Sequence, residues 1–319
     1  IIDDGSNNKE SLEKLEEIEK LDNRIKVLHK KNEGAAATRD YGAEQSSKSA
    51  KYLMILDSDD VLDKTFLECA YWTLETNKNA SWAYSYSVGF GHIQYLWSKW
   101  FNSEKMKKEN ELLITALIRK EDFFSVNGYE LREKGLFEDW NFWLKMIAKG
   151  KYPVQMNYYG IWYRRKEHGS ELTKAKESQK RNMEIINDTA KKITELVEAI
   201  QYPKQDYKWD GIIEKIETMI LPQYEKDSKI NILIIIPWMI VGGADKFNLD
   251  LIKGLDKEKF NILIISTEPK INPLRQEFEK YATIYDLTTF LDRKYWAYFV
   301  KHIIEKNNIN LIMNTNSRF

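Results

Sequence analysis

KYLMILDSDD, residues 51–60, is the stretch on which the fold turns: a short, nearly continuous apolar run that passes directly into an acidic cluster. A continuous apolar run of this length reads as a strand buried on both faces of a parallel sheet. Upstream, Leu12, Leu15, Ile18 and Leu21 share one face of a helix over Lys9 to Leu21, and Arg24 to Leu28 reads as a strand. Ala35 to Ser47 reads as a small-residue helix. Downstream, Phe66, Leu67, Ala70 and Leu74 form the apolar stripe of a helix over Asp63 to Thr76. With the strand-like Ile1-Ile2 at the front, the order is βαβαβα, which predicts an α/β sheet with helices on both faces.

Farther along, Trp82 to Val88 alternates like a strand, and Phe137, Trp140, Leu144 and Ile147 mark an amphipathic helix that Gly150 can end. Val154 to Arg165 is β-rich, and Lys174 to Ile200 reads as one long charged helix. Pro203, Pro222 and dense mixed charge then interrupt the periodicity, so residues 201–229 read as a linker between domains 1–200 and 230–319. The second domain restarts the α/β pattern. Strands are expected at Ile230 to Ile236, Phe260 to Ile265, Ile284 to Leu287 and Asn310 to Met313, with a helix over Ala244 to Leu255 and another carrying Phe299, Val300, Ile303 and Ile304. This is half of a doubly wound fold.

Composition narrows the function. The 319 residues carry 49 basic and 49 acidic side chains, so no basic excess points to a nucleic-acid partner. The 10 Trp and 18 Tyr serve mainly core packing, although such rings also stack on sugars. Cys69 is the only cysteine, which rules out an internal disulfide and fits a reducing compartment. The longest apolar run, Ile230 to Val241, is broken by Asn231 and Pro237 and is too short to span a bilayer. With no signal peptide at its start, the chain reads as cytoplasmic, with peripheral membrane contact left open. It starts without Met inside the tail of a strand and stops after a strand-like run, so segments on both sides are expected.

Ligands of open α/β sheets bind at the carboxyl ends of strands. Three polar motifs fall there: Asp3-Asp4-Gly5-Ser6, Asn32-Glu33-Gly34 leading to Arg39, and Asp57-Ser58-Asp59-Asp60. Clustered acids repel unless a cation or hydrogen-bond donors offset the charge. Hard oxygen ligands suit Mg²⁺ or Mn²⁺ held by one or two carboxylates together with substrate phosphates. The simpler alternative is that Asp59 and Asp60 cap a helix starting after Val61. Glu138-Asp139 opens a helix, where the dipole favours negative charge, and a carboxylate there can also act as a general base. His168 is open between a metal ligand and an ordinary loop histidine. Gly242-Gly243 joins a strand to a helix start, where backbone can approach an anion or simply turn.

Taken together, these motifs resemble family 2 glycosyltransferases of GT-A fold. The likeness runs from Ile1 to Thr173 and includes the Asn127-Gly128-Tyr129 turn and Glu138-Asp139-Trp140. It implies that Asp4 contacts the nucleotide base, Arg39 lies near the nucleotide or diphosphate, and Asp57 faces the ribose and sugar. Asp59, and in some members a residue at the position of His168, would bind Mg²⁺ or Mn²⁺, and Asp139 would be the catalytic base. The implied reaction moves a sugar, with inversion, from a nucleotide-sugar such as a UDP-sugar to a hydroxyl of a glycan or polysaccharide acceptor. Two departures stand out: Asp40 where the family often has Asn, and a first strand and helix that would lie upstream of Ile1. The second domain, with Gly242-Gly243-Ala244-Asp245, is similar to the N-terminal half of a family 4 glycosyltransferase of GT-B fold, Asp245 replacing Glu. The expected architecture is therefore a GT-A nucleotide-diphospho-sugar transferase domain followed by a Rossmann-like half of a GT-B domain. A nucleotidyltransferase and a non-catalytic carbohydrate-binding or assembly module are the competing readings.

Overall fold

The computed structural model describes residues 1–130, 136–167, 179–203, 215–219 and 229–317. In chain order, the first elements are β1 (Ile2–Asp3), α1 (Lys9–Glu19), β2 (Leu28–His29), α2 (Ala35–Gln45), β3 (Tyr52–Met54), β4 (Val61–Leu62), α3 (Phe66–Thr76), β5 (Trp82–Gly91) and β6 (Tyr95–Trp97). Then come α4 (Ser103–Met106), β7 (Leu117–Arg119), α5 (Lys120–Ser125), α6 (Glu138–Ala148), β8 (Pro153–Arg165), α7 (Gln179–Ala190), β9 (Ile200–Gln201) and α8 (Lys215–Met219). The last part holds β10 (Ile230–Ile236), α9 (Gly243–Gly254), β11 (Phe260–Ser266), α10 (Arg275–Glu279), β12 (Thr283–Asp286), α11 (Trp296–Lys306) and β13 (Leu311–Asn314). The α/β class is as expected.

Two compact units cut across the sequence order. One comprises Ile1–Ile55, Phe101–Tyr152 and Lys166–Glu198; the other comprises Leu56–Trp100, Pro153–Arg165 and Ala199–Phe319. In the first unit β1 pairs parallel with β2, and Asn8 caps α1 through the N–H groups of Glu10 and Ser11. The buried face of α2 consists of Ala36, Ala37, Asp40 and Ala43.

Several elements differ from the sequence expectation. β3 is three residues long, has only Leu53 buried, and pairs antiparallel with β7 rather than lying inside a parallel sheet. Its neighbour Leu56 is 43% exposed. The strand expected at Arg24 to Leu28 shrinks to β2, because Arg24 is used in a turn, bonding Asp22 through its own N–H and guanidinium. The long helix expected at Lys174 to Ile200 is only α7 in its described part, and Ile200 instead pairs with Val154 as a strand. The helix expected after Val61 starts at Phe66. Val61 and Leu62 pair with Trp162 and Ile161, and the Asp63 carboxylate closes a turn on the Thr65 N–H at 2.8 Å and hydroxyl at 2.6 Å.

In the second unit β8 is flanked by β5 (parallel) and β4 (antiparallel), with β6 on β5 and β9 on β8. A separate four-stranded sheet has the order β12-β11-β10-β13, all parallel, over a core that includes Ile234, Ile264, Leu249, Ile252 and Phe278. That is the expected restart of the α/β pattern.

The segment read as linker is built into this unit where it is described. Lys215 of α8 bonds Asp63 at 2.6 Å and Glu279 at 3.2 Å, and Arg275 pairs with Glu279 and Asp286. Ile216 and Met219 pack on the cluster of Tyr86, Val88, Phe90, Tyr159 and Trp162. On α3, the Glu68 carboxylate accepts from the Tyr285 hydroxyl at 2.6 Å, His302 Nε2 at 2.7 Å and Lys306 Nζ at 2.7 Å. Nearby, Trp72 meets Phe299 edge to face, and the Thr73 hydroxyl donates to the Phe290 carbonyl.

Candidate active site

In the first unit Asp3 and Asp4 follow β1 into a turn with Gly5 at φ +78°. Asp3 is buried, accepts the Ser6 N–H at 3.0 Å and meets His29 Nδ1 at 2.9 Å; these bonds hold its carboxyl below the usual range. Both oxygens of Asp4 are engaged with the next loop. One takes Lys30 Nζ at 2.8 Å and the Glu33 N–H at 2.9 Å, and the other takes the Gly34 N–H at 2.8 Å. Burial pushes Asp4 up, but these donors outweigh it and hold the carboxyl below its ordinary value. Asp4 thereby braces the loop that enters α2 at Gly34.

Arg39 leaves α2 toward the start of α6. Its Nη1 bonds Glu138 Oε1 at 2.8 Å, and its guanidinium lies 5.7 Å over the Tyr129 ring. The Asn127-Gly128-Tyr129 turn is fixed from two sides. Asp40 Oδ1 accepts the Tyr129 N–H at 2.8 Å, while Lys145 of α6 donates to the Val126 carbonyl at 2.8 Å and the Gly128 carbonyl at 2.7 Å. Asn127 and Gly128 have φ of 57° and 52°, and a Cβ on Gly128 would run into the Asp40 carboxylate. Only glycine fits there.

Asp139 lies in the first turn of α6 with both oxygens held. Oδ1 accepts the Trp140 N–H at 2.7 Å, and Oδ2 accepts Asn110 Nδ2 at 3.0 Å. Burial raises Asp139 above the usual carboxylate range. Burial also raises Glu138, with repulsion from Asp139 adding to it and Arg39 opposing it. The structure thus brings Arg39, Glu138 and Asp139 together. Asn110, Asp40 and Tyr129 complete the cluster.

In the second unit the acidic cluster is a turn, closed by the Asp60 N–H on the Asp57 carbonyl at 3.1 Å, rather than a helix cap. Asp57 and Asp59 are half-exposed and Asp60 is buried. Asp60 Oδ1 accepts the Arg164 N–H at 2.8 Å, and Arg164 Nε donates to the Asp59 carbonyl at 2.9 Å. Burial first, then the charges of Asp57 and Asp59, push Asp60 up to about 7. The capping alternative for Asp59 and Asp60 is therefore overturned, since α3 starts after Thr65.

Residues 1–137 match the family model for glycosyl transferase family 2. This part of the chain is similar to family 2 glycosyltransferases. Within its curated relatives, 77 residues are 44% identical to an uncharacterized glycosyltransferase of Rickettsia conorii, covering 24% of this chain and 12% of that protein. Another 68-residue match, 37% identical, is to the putative glycosyltransferase EpsH of Bacillus subtilis, over 21% of this chain and 19% of that one. The matched stretches thus span well under a quarter of those relatives' own length. A crystal structure of S. aureus TarS 1–349 in complex with UDP-GlcNAc aligns with a TM-score of 0.45 and 17% identity, over 53% of this chain and 50% of TarS. Glu138 and Asp139 lie just past the family 2 match.

Among the described residues no three His, Cys, Asp or Glu side chains converge to hold a metal ion. The half-exposed Asp57 and Asp59 fit the looser arrangement in which one or two carboxylates share a hydrated Mg²⁺ or Mn²⁺ with phosphates. His168 lies outside the described residues. Beyond the matched residues, Gly242 caps α9 and Gly243 is its first residue. Neither has a positive φ; a Cβ on Gly242 would meet the Asp245 carboxylate at 3.1 Å, whereas Gly243 has open space. No helix among the described residues is long and apolar enough to cross a membrane.

Sequence reasoning missed Asn110 altogether, since a lone Asn in an aperiodic loop carries no signal. It noted Asp40 only as a departure. The hydrogen bond to Tyr129 gives Asp40 a place, because the oxygen that accepts it would be present in Asn as well.

Proposed function

We propose that the family 2 domain transfers a sugar from a nucleotide-sugar, a UDP-sugar in the first instance, to a hydroxyl of a glycan or polysaccharide acceptor, with inversion. The observation that supports this is Asp139: a carboxylate at a helix start, held on both oxygens and raised by burial. A base works best when its pKa approaches the working pH, and burial moves Asp139 in that direction. In the proposed step Asp139 takes the acceptor hydroxyl proton as the oxygen bonds to the anomeric carbon. The bond from that carbon to the diphosphate oxygen breaks, and its electron pair leaves with the nucleoside diphosphate.

Arg39 and Glu138 keep the start of α6 in register with α2; Asp4, which braces the loop entering α2, is proposed to contact the nucleotide base, and Arg39 to lie near the nucleotide or its diphosphate. Asp57 is proposed to face the donor. Asp59, with His168 as a further candidate, is proposed to hold Mg²⁺ or Mn²⁺. When bound, the metal would neutralise charge on the leaving diphosphate. Residues 230–319 are proposed as the N-terminal half of a GT-B domain joined through 201–229 to the first domain of residues 1–200, with Gly242-Gly243 as its ligand-facing loop. A cytoplasmic location, with peripheral contact at the inner face of the cell membrane, completes the proposal.

The test is nucleoside diphosphate release from a panel of UDP-, GDP- and dTDP-sugars, with Asp139→Asn alongside. Release that falls roughly 100- to 10,000-fold in the variant is the expected result. Undiminished release from Asp139→Asn would remove the base assignment, and pyrophosphate as product would replace the reaction with nucleotidyl transfer.

A further inference from the structure

The loop between α4 and β7 holds a group that the reaction above does not use. Asn110 Nδ2 donates to Asp139 Oδ2 at 3.0 Å, across 29 residues of chain. The amide cannot turn over without loss, because its Oδ1 already accepts the Leu112 N–H at 3.1 Å. An amide has donors on one end and an acceptor on the other, so satisfying Leu112 commits the NH₂ group to Asp139.

The loop is itself moored to the residue after the base. The Trp140 indole N–H donates to the Met106 carbonyl at 2.6 Å, and the Glu111 N–H reaches Met106 Sδ at 3.2 Å. Met106 is fully buried. Trp140 therefore grips the base on one side through its backbone N–H and fixes the loop that grips it on the other through its indole. Both carboxylate oxygens carry one donor each, which sets the plane of the group.

We propose that Asn110 is a positioning residue, whose amide fixes the carboxylate plane of Asp139 and favours its ionised form against burial. This rests on the reading of Asp139 as the base. A donor to a carboxylate favours its charged form, and burial opposes that form. Among the influences on Asp139, the Asn110 bond acts in the lowering direction.

The test is a ¹³C NMR titration of the Asp139 carboxyl in the whole chain, in a Glu138→Gln background so that the neighbouring acid does not share the titration. Asn110→Ala is expected to move the Asp139 titration to higher pH. The acid limb of nucleoside diphosphate release from UDP-, GDP- and dTDP-glucose should move the same way. kcat should fall roughly 10- to 100-fold, the range for a hydrogen bond to a charged group, with KM for the donor almost unchanged. Asn110→Ser, which keeps a donor, should recover part of both effects, and it carries the test if the alanine variant does not fold. Asp139 titrating at the same pH in parent and variants would overturn the proposal, whether or not sugar is transferred. Full turnover by Asp139→Asn would sink the base reading instead, and the titration would still decide the contact.

Discussion

At Asp139 burial and hydrogen bonding pull in opposite directions, and burial wins. If Asp139 is the base, as proposed, the sign for activity follows: a base works only when ionised, so the rate falls as pH drops through its raised pKa. The acid limb should therefore lie above the ordinary Asp value of about 3.9, and a pH–rate profile checks it. Arg39 gives a second prediction. Removing it in Arg39→Leu strands the mostly buried Glu138 carboxylate, at a cost of about 2–3 kcal/mol after allowance for residual exposure. Glu138 escapes that cost by taking up a proton, so the loss of melting temperature should be larger at pH 8 than at pH 5. At this scale Asp4, Arg39, Asp57, Asp59 and Asp139 stood out as candidates because their motifs come in a recognisable order. The tie from Asn110 to Asp139 and that from Asp40 to Tyr129 were not, because single hydrogen bonds across 29 and 89 residues leave no periodic trace.

Helices with a full apolar stripe were read well. α6 starts at the acidic pair and ends just before Gly150, whose φ of +70° suits glycine. Short strands were read poorly. KYLMIL looked like a doubly buried parallel strand, yet hydrophobicity alone does not reveal partner or direction, and only Leu53 is buried. The turn at Gly128 links α2 and α6 through Asp40 and Lys145, so it belongs to this scale. Gly128→Ala places a Cβ against the Asp40 carboxylate in left-handed backbone. A destabilisation of about 1–3 kcal/mol is expected in urea denaturation, with a larger fall in sugar transfer if α6 shifts.

Across the molecule, sequence order and compactness part company. Asp63, Lys215, Glu279, Arg275 and Asp286 form one buried charge network drawn from distant parts of the chain. Burial works against the Asp63 carboxylate, but the charge and bond of Lys215 hold it well below the usual range. A depressed pKa contributes stability above the unfolded value, near 3.9, that is lost as pH falls through the folded one. Lys215→Met should strand Asp63 and Glu279 and cost about 3–5 kcal/mol at pH 7, read as a lower urea midpoint, with the gap to the parent narrowing in acid. The network was illegible beforehand because residues 201–229 looked like a spacer and Lys215 like one charge among many. Glu68 adds a matter of time. Its partners Tyr285, His302 and Lys306 lie 217 to 238 residues downstream. On a ribosome adding roughly 5–20 residues per second, α3 would wait on the order of ten to fifty seconds for them. During that interval a carboxylate and the neighbouring Trp72 stand without these contacts, so the nascent chain passes through a stage at which chaperones have a surface to hold.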